Sequence, residues 1–293
     1  LKKKKGRRRG NPVPKQDAGT GKGFPRRFQT AKTGEPPGSA AGRLFPAYHR
    51  RGGNDLREKT LFQLGSRLGL CAAMVRPGCR LADIGTDHGY LPVWLAKTGA
   101  IRSAVAADVR EGPLQSARQN IERYGVEKQV TARLSDGLDL VSAQEADDIV
   151  IAGMGGELIA RLVDRAAWLR DPQKHLILQP MSSAEDLRAF LLEKGFGVFR
   201  EDAVQEDGHV YSVMLVWYDP EQAARCGKDP SFLQRGLVNG STQEGKAYLA
   251  GRASSLRKKA NGMRHTGALT QAEALEMICS FMEQEAGEGS AAT

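Results

Sequence analysis

The chain has 293 residues, of which 40% are hydrophobic and 26% charged, with a formal net charge of +9. No apolar run reaches the roughly 18 residues of a membrane-spanning helix, which argues against a membrane protein. A basic start followed by an apolar run and a small-residue cleavage site is also missing, which argues against secretion. The four cysteines form no CxxC pair and have no metal-ligand spacing. We therefore expect free thiols, no metal and a cytoplasmic protein.

The positive charge lies mainly at the start of the chain. Residues 1–59 hold 17 Lys and Arg and four acidic residues, whereas residues 60–293 carry a net charge of −4. Residues 1–54 are poor in large apolar side chains, so we expect a disordered basic tail. Such a tail can bind nucleic acid, act as a transit peptide or have no role, and we favour the last because no Met precedes Met74. A second basic block, residues 245–266, contains six Lys and Arg and no acid.

From residue 55 the hydrophobic pattern predicts helices and strands in alternation. A first helix opens at Asp55 and ends before Pro77. Five apolar runs then predict strands over residues 80–84, 104–107, 130–134, 148–152 and 175–179. Helical spacing between and after them predicts helices over residues 91–97, 114–124, 158–169 and 184–193. This alternation is typical of βαβ units, and it predicts a mostly parallel sheet covered by helices.

The last part of the chain changes pattern twice. Two further strands, residues 197–203 and 209–217, are separated by the turn signal Glu206-Asp207-Gly208 and should be antiparallel to each other. After Pro220 the pattern is helical, mainly over residues 248–263 and 271–284, which predicts a helical hairpin. We therefore expect a nucleotide-binding domain over residues 55–220 and a helical hairpin within residues 221–293.

The first turn from strand to helix carries the clearest chemical signal. Gly85 allows a tight turn and a close approach of a ligand to the backbone. A dinucleotide loop would read GxGxxG, but Asp87 stands where its second glycine belongs, and an acid there is a poor host for pyrophosphate. It suits a ligand with a positive end, such as S-adenosylmethionine. Asp83, at the strand end, can take the ammonium group of that ligand.

Acidic residues also end the next two strands. Asp108 follows Gly85 by 23 residues, close to the roughly 20 expected for an acid that binds ribose hydroxyls. Asp136 can accept a hydrogen bond from an adenine amino group. Singly, such acids are often caps or solvated turns, but in consecutive loops they describe an adenosine-containing ligand. The glycines of residues 151–156 allow close approach after the fourth strand, or serve only as a tight turn.

Several segments together resemble the bacterial tRNA (adenine-N1)-methyltransferases that modify position 22, the TrmK family. The matching segments are residues 65–68, 81–92, 111–113, 136–138, 151–156, 176–180 and 206–211, and the resemblance covers about residues 56–284. It implies a Rossmann-like class I methyltransferase of the α/β class with a seven-stranded, mostly parallel sheet and helices on both faces. A C-terminal helical hairpin or coiled coil follows. The implied cofactor is S-adenosylmethionine and the implied partner is tRNA.

This reading assigns each candidate residue a role. Asp87 is the main catalytic candidate, with Tyr90 and His88 beside it. The expected cofactor-binding residues are Asp83, Gly85, Thr86, Asp87, His88, Asp108, Val109, Asp136, Gly137, Leu138, Ala152, Gly153 and Met154. The expected substrate-binding residues are Arg67, Gly155, Gly156, Gln179, Pro180, Arg257, Lys258 and Lys259.

Adenine N1 carries a lone pair and no proton, so methylation there needs alignment and a nearby negative charge more than a general base. Asp87 can supply that charge, or it can merely cap a helix or touch the cofactor. Tyr90 can stack on a base or pack under its helix. We expect a monomer. The alternatives are a class I methyltransferase for another RNA or a small molecule, and a catalytically inactive RNA-binding protein; Asp87 weighs against a dehydrogenase.

Overall fold

The computed structural model describes residues 61–287. Its seven strands form one sheet in the order β3-β2-β1-β4-β5-β7-β6. The strands are β1 Arg80–Ile84, β2 Ser103–Asp108, β3 Val130–Leu134, β4 Asp148–Gly155, β5 His175–Ser182, β6 Phe196–Glu206 and β7 His209–Tyr218. The first five strands pair in parallel, and β7 pairs antiparallel with both β5 and β6. The predicted seven-stranded, mostly parallel sheet is confirmed.

Helices cover both faces of this sheet. They are α1 Ser66–Met74, α2 Tyr90–Lys97, α3 Glu111–Tyr124, α4 Gly156–Arg165, α5 Ala184–Glu193, α6 Pro220–Cys226, α7 Phe232–Arg235, α8 Gln243–His265 and α9 Leu269–Ala286, with a 3₁₀ turn at Ala167–Arg170. Alternate side chains of a strand enter two separate cores: Ile149 and Ile151 join the core that holds α4 and α5, and Val150 joins the core that holds α1, α2 and α3. Successive side chains of a strand point to opposite faces of the sheet, so a sheet that is covered on both faces contributes to two cores.

The first helix begins later than the pattern predicts. Residues 61–65 are not helical, α1 starts at Ser66, and the expected start at Asp55 lies outside the described residues. The ring of Phe62 packs edge-on against Tyr90, with ring centroids 5.0 Å apart, so the apolar residues before Ser66 serve packing rather than helix formation. Glu206 of β6 accepts the backbone N–H of Arg67 at 2.9 Å, which stabilises the N-terminus of α1.

Strand β4 also continues beyond its predicted end. The sequence predicts a glycine turn after Ala152, but β4 runs to Gly155 and pairs with β5 through two shifts of register. Gly153 sits at this irregularity with a φ of +77°. Glycine adopts that left-handed conformation without strain, as in bulges that begin with a glycine. The glycine segment is therefore an irregular end of a strand, followed at once by α4.

The turn between β6 and β7 matches its prediction. Glu206 pairs with His209, which leaves Asp207 and Gly208 as a two-residue loop. Both have positive φ, 52° and 76°, as a type I′ hairpin turn requires.

The C-terminal part contains the expected pair of helices. Alanine and leucine side chains of α8 pack against Cys279, Met282 and Ala286 of α9, and the small side chains let the two helices approach closely. The short helices α6 and α7 precede this hairpin and were not predicted separately. Within residues 61–287, no helix is long and apolar enough to span a membrane. The predicted basic tail, residues 1–54, lies outside the described residues.

Candidate functional site

The candidate site lies at the carboxyl ends of the parallel strands, between β1 and β4, where the strand order reverses. In open α/β sheets this switch point is where ligands bind. Gly85 follows β1 with a φ of +74°, and a β-carbon placed on it would lie 2.2 Å from Cε of Met154. The predicted cofactor residues Gly85 and Met154 are therefore direct neighbours, and a side chain at residue 85 would require the methionine to move.

Asp83 is a buried carboxylate at this edge. It is 5% exposed, and its Oδ2 accepts a hydrogen bond of 2.6 Å from Thr86 Oγ1. Burial raises the pKa of Asp83 from 3.8 to about 6; the bond from Thr86 opposes this rise and the nearby charge of Asp108 adds to it. No cation pairs with Asp83 among the described residues, so the site favours a ligand that brings one.

Asp108 ends β2 and is also buried. Its two carboxylate oxygens accept the backbone N–H of Asp87 at 3.3 Å and of Arg110 at 2.9 Å. Each oxygen keeps a further lone pair for a hydroxyl donor. Val109 and Leu134, at the ends of β2 and β3, are 61% and 48% exposed, and they offer apolar surface beside these acids.

The third acidic loop, which is predicted to contact the cofactor, also makes contacts within the protein. The exposed carboxylate of Asp136 forms an ion pair of 3.1 Å with Arg165 of α4. Gly137 packs closely on Leu162, since a β-carbon on it would lie 2.4 Å from Leu162 Cδ2. Leu138 is buried in the core. These contacts give Gly137 and Leu138 a packing role, and the part that the loop plays in binding stays a prediction.

The candidate catalytic residues surround the start of α2. Asp87 has a left-handed backbone with a φ of 51°, and its carboxylate is 3.5 Å from Nε2 of His88. It does not cap α2, whose N-terminal residue Gly89 has no side-chain cap. Tyr90 is 42% exposed, and its ring packs against His88 as well as Phe62. The alternative that Asp87 serves as the cap of α2 is therefore excluded.

On the other side of the crevice, Gln179 of β5 joins two elements. It is fully buried, and its Oε1 accepts both the backbone N–H of Gly153 at 3.0 Å and Nη1 of Arg67 at 3.1 Å. Arg67 also donates from Nε to Glu206 at 2.6 Å. The structure thereby brings together Arg67, Gln179 and Gly153, which were predicted separately. Glu206 is a member that the prediction missed.

The remaining predicted residues on this side lie along the same two strands. Ala152 precedes the irregularity in β4, Pro180 is opposite Met154 in β5, and Gly155 is paired with Ser182. Gly156 begins α4, and a β-carbon there would lie 2.3 Å from the carbonyl oxygen of Ser183. Gly156 therefore permits close packing of β4 against the loop after β5.

Arg257, Lys258 and Lys259 lie on α8, outside this crevice. The block contains no acid of its own, but α9 supplies acidic partners: Arg257 donates to Glu283 at 2.9 Å, and Arg264 pairs with Glu276 at 2.6 Å. Lys258 and Lys259 are exposed and form no ion pair within residues 61–287. The free positive charge of the block is therefore smaller than its sequence indicates.

Comparison with known proteins identifies the family. The family model described as "Methyltransferase domain" matches residues 64–214, about half of the chain. The tRNA (adenine(22)-N(1))-methyltransferase of Bacillus subtilis (strain 168) is 34% identical over 165 residues, which are 56% of this chain and 69% of the relative. The chain belongs to this methyltransferase family. The resemblance stated from the sequence motifs is confirmed.

Solved structures confirm the methyltransferase fold. The B. subtilis m1A22 tRNA methyltransferase TrmK superposes with a TM-score of 0.65 at 27% identity, covering 78% of this chain and 99% of that chain. A Streptococcus pneumoniae protein described as a proposed tRNA (m1A22) methyltransferase, solved in complex with S-adenosyl-L-methionine, superposes with a TM-score of 0.60 at 31% identity. That match covers 75% of this chain and 98% of the other.

Proposed function

We propose that this protein transfers a methyl group from S-adenosylmethionine to N1 of adenine 22 in tRNA. The observation that carries the proposal is its membership of the family of the B. subtilis enzyme, with 34% identity along 69% of that enzyme. Position 22 lies in the D arm of tRNA, and tRNA as substrate favours the cytoplasm as the place of reaction. The four cysteines are buried and unpaired, as a reducing compartment requires.

The residues at the switch point fit S-adenosylmethionine. Asp83, which is buried and has no cation partner within residues 61–287, would take the ammonium group, and the free lone pairs of Asp108 would take ribose hydroxyls. Val109 and Leu134 would flank the adenine ring, and Asp136 would accept from its amino group. Gly85 gives the backbone approach that a bulky side chain would block. When bound, the cofactor supplies an electrophilic methyl group on a sulfonium.

The protein's part in catalysis is alignment and charge. Adenine N1 needs no base to remove a proton, and positive charge grows on the purine as the new bond forms. Asp87 is exposed at the mouth of the crevice and is not engaged as a helix cap, so its carboxylate can stabilise that charge. Tyr90 beside it offers a ring on which a flipped base can stack. His88 orients Asp87 and is assigned no proton transfer.

The hairpin of α8 and α9 is proposed to bind tRNA. Lys258 and Lys259 are, with Lys246, the exposed cations of its basic block that form no ion pair within the described residues, and phosphate contacts position an RNA without selecting its sequence. We propose that the methyltransferase domain, residues 55–220, and the hairpin within residues 221–293 act together in a monomer.

Methylation of unmodified tRNA with labelled S-adenosylmethionine tests this function, with the product mapped by nuclease digestion and mass spectrometry. We expect 1-methyladenosine at position 22, and none in a tRNA that carries G at that position. Ribosomal RNA and a small-molecule methyl acceptor serve as parallel substrates. Transfer to either of them but not to tRNA would contradict the proposal and favour the alternative of another methyltransferase substrate.

The Asp87→Asn variant tests the catalytic assignment within the same assay. Asparagine tolerates the left-handed backbone that Asp87 adopts, so the fold should be kept. We expect kcat to fall about tenfold to a hundredfold with cofactor affinity unchanged, since a charge that acts on the transition state is removed. An unchanged kcat would show that Asp87 is not the stabilising group.

A further inference from the structure

Glu206 is the last residue of β6, on the far side of the crevice from Asp87. Its carboxylate is bound by two groups of a single residue, Arg67. It accepts both the backbone N–H of Arg67 at 2.9 Å and its Nε at 2.6 Å. A β-carbon on Gly65 would lie 2.8 Å from Glu206 Oε2, so the chain at residue 65 leaves room for this carboxylate. These bonds hold the pKa of Glu206 below its usual range even though burial opposes the shift.

Arg67, held by Glu206, is connected in turn to β5 and β4 through Gln179. Its Nη1 donates to Gln179 Oε1 at 3.1 Å, and the same oxygen accepts the backbone N–H of Gly153 at 3.0 Å. The ring of Tyr211 lies beneath the guanidinium, with Cζ 5.4 Å from the ring centroid. A planar guanidinium can meet two acceptors at fixed angles, so Glu206 sets the orientation from which Arg67 reaches Gln179.

Gly153 is the residue through which the contacts of Glu206, Arg67 and Gln179 reach the candidate site. It stands at the irregularity of β4, where the regular ladder with β5 is interrupted, and its N–H depends on the side chain of Gln179. The next residue, Met154, has its Cε against Gly85 in the cofactor loop. A change in the peptide at Gly153 would therefore move a side chain at the centre of the crevice.

Glu206 also neutralises the positive charge of Arg67. Methylation makes the purine positive, and a guanidinium without a counter-ion at the crevice wall would oppose that change. The Arg67 and Glu206 side chains are 25% and 18% exposed, so solvent screens this pair less than an ion pair at the surface.

We propose that Glu206 is a positioning residue for methyl transfer, which acts through Arg67 and Gln179 on the strand end at Gly153. The inference rests on the proposed function and extends it to a residue outside the cofactor loops. Glu206 touches neither cofactor nor substrate in this role.

Steady-state kinetics of Glu206→Gln on tRNA tests the proposal. We expect kcat to fall about tenfold or more, because a small misplacement of reacting groups is costly, and the Kd for S-adenosylmethionine to rise by a clearly smaller factor, since Met154 beside Gly153 also shifts. Glu206→Asp keeps the charge and should recover part of kcat. In an Arg67→Met background, Glu206→Gln should have no further effect, since its action passes through Arg67.

Asp147→Asn is the matched control. Asp147 also pairs with an arginine, Arg80, but at the amino ends of the strands. This variant should lose as much thermal stability as Glu206→Gln without losing kcat. Equal kcat losses in the two variants, or a Glu206→Gln enzyme as active as wild type, would overturn the inference. Failure of the wild-type chain to methylate tRNA would instead contradict the proposed function.

Discussion

Asp83 has a buried carboxylate that pairs with no cation in the described part of the chain, and this predicts how cofactor binding depends on pH. Its pKa of about 6 means that it holds a proton in mildly acidic solution. Binding an ammonium group requires the ionised form, so the proton must leave on binding. We expect the Kd for S-adenosylmethionine to be constant above pH 7 and to rise about tenfold per pH unit below 6. Isothermal titration calorimetry between pH 5 and 8 measures this slope, since that range begins below the pKa of Asp83 and ends well above it.

Asp83→Asn provides the control for that titration. An amide cannot pair with ammonium as a charge, so binding should be weak and its pH slope should vanish. The stability of the cofactor-free protein should move in the opposite direction. A raised pKa favours the protonated folded state, so this contribution is full below pH 3.8 and is lost as pH rises through 6. A wild-type Kd that does not change between pH 5 and 8 would contradict the assignment of Asp83 to the ammonium group.

The contact of Gly85 with Met154 leads to a second prediction for a single residue. Gly85→Ala places a methyl group against Met154, whereas Gly78 has a similar φ of +72° with nothing within 4 Å of a β-carbon. Both variants force a left-handed alanine, at about 1 kcal/mol or more of stability. Only Gly85→Ala should also weaken cofactor binding, because Met154, a predicted cofactor residue, must shift. Thermal unfolding and cofactor titration of both variants separate the two effects, and equal Kd values would show that the contact is unimportant.

At the scale of helices and strands, the elements that were predicted correctly are those whose position is determined by neighbouring residues in the sequence. The apolar runs that form β3 and the start of β5 are sufficient to define those strands, and Asp207 with Gly208 defines the hairpin turn. The misses depend on partners remote in sequence. The start of α1 depends on the bond from the backbone of Arg67 to Glu206, which lies 139 residues further along the chain. The extension of β4 depends on the buried amide of Gln179. No local period encodes either contact.

The basic block on α8 shows the same limit for charge. A window of sequence counts six cations, but pairing across the hairpin with Glu283 and Glu276 occupies Arg257 and Arg264. The site was predictable at the level of its acidic strand ends, because carboxyl ends of parallel strands share one edge by topology. The pairing of Asp136 with Arg165 was not predictable, since it depends on where α4 packs.

The free lysines of this helix give the prediction for RNA binding. Replacing Lys258 and Lys259 together by alanine should weaken tRNA binding and lower the slope of log K against log salt by about one to two. Arg257→Ala is the matched change on the same helix, and it should have a smaller effect because Glu283 already neutralises that residue. Filter binding of tRNA at several salt concentrations measures both slopes. A larger effect from Arg257→Ala would show that the pair opens on RNA binding.

At the scale of the whole molecule, one buried cluster ties the hairpin to the sheet. Arg188 of α5 is fully buried and donates to Glu201 of β6 at 2.6 Å and to the hydroxyl of Tyr248 of α8 at 2.7 Å. Glu201 also accepts the N–H of Leu237 at 3.1 Å, in the segment before α8. Removing one partner of such a pair is costly because the other charge stays buried. The first turns of α8 are thus fixed to the domain that carries the crevice.

The charge distribution of the chain gives the last prediction. Removing residues 1–54 changes the formal net charge from +9 to −4, while every candidate site residue lies within residues 61–287. The shortened protein should bind S-adenosylmethionine with unchanged Kd and still methylate adenine 22, since phosphate contacts add affinity without sequence choice. Its KM for tRNA should be unchanged at physiological salt, as expected of a tail without a role, and a rise should be confined to low salt, where the lost positive charge is least screened. Methylation mapped at low and physiological salt checks this, and a changed target nucleotide would show that the tail takes part in selecting the substrate.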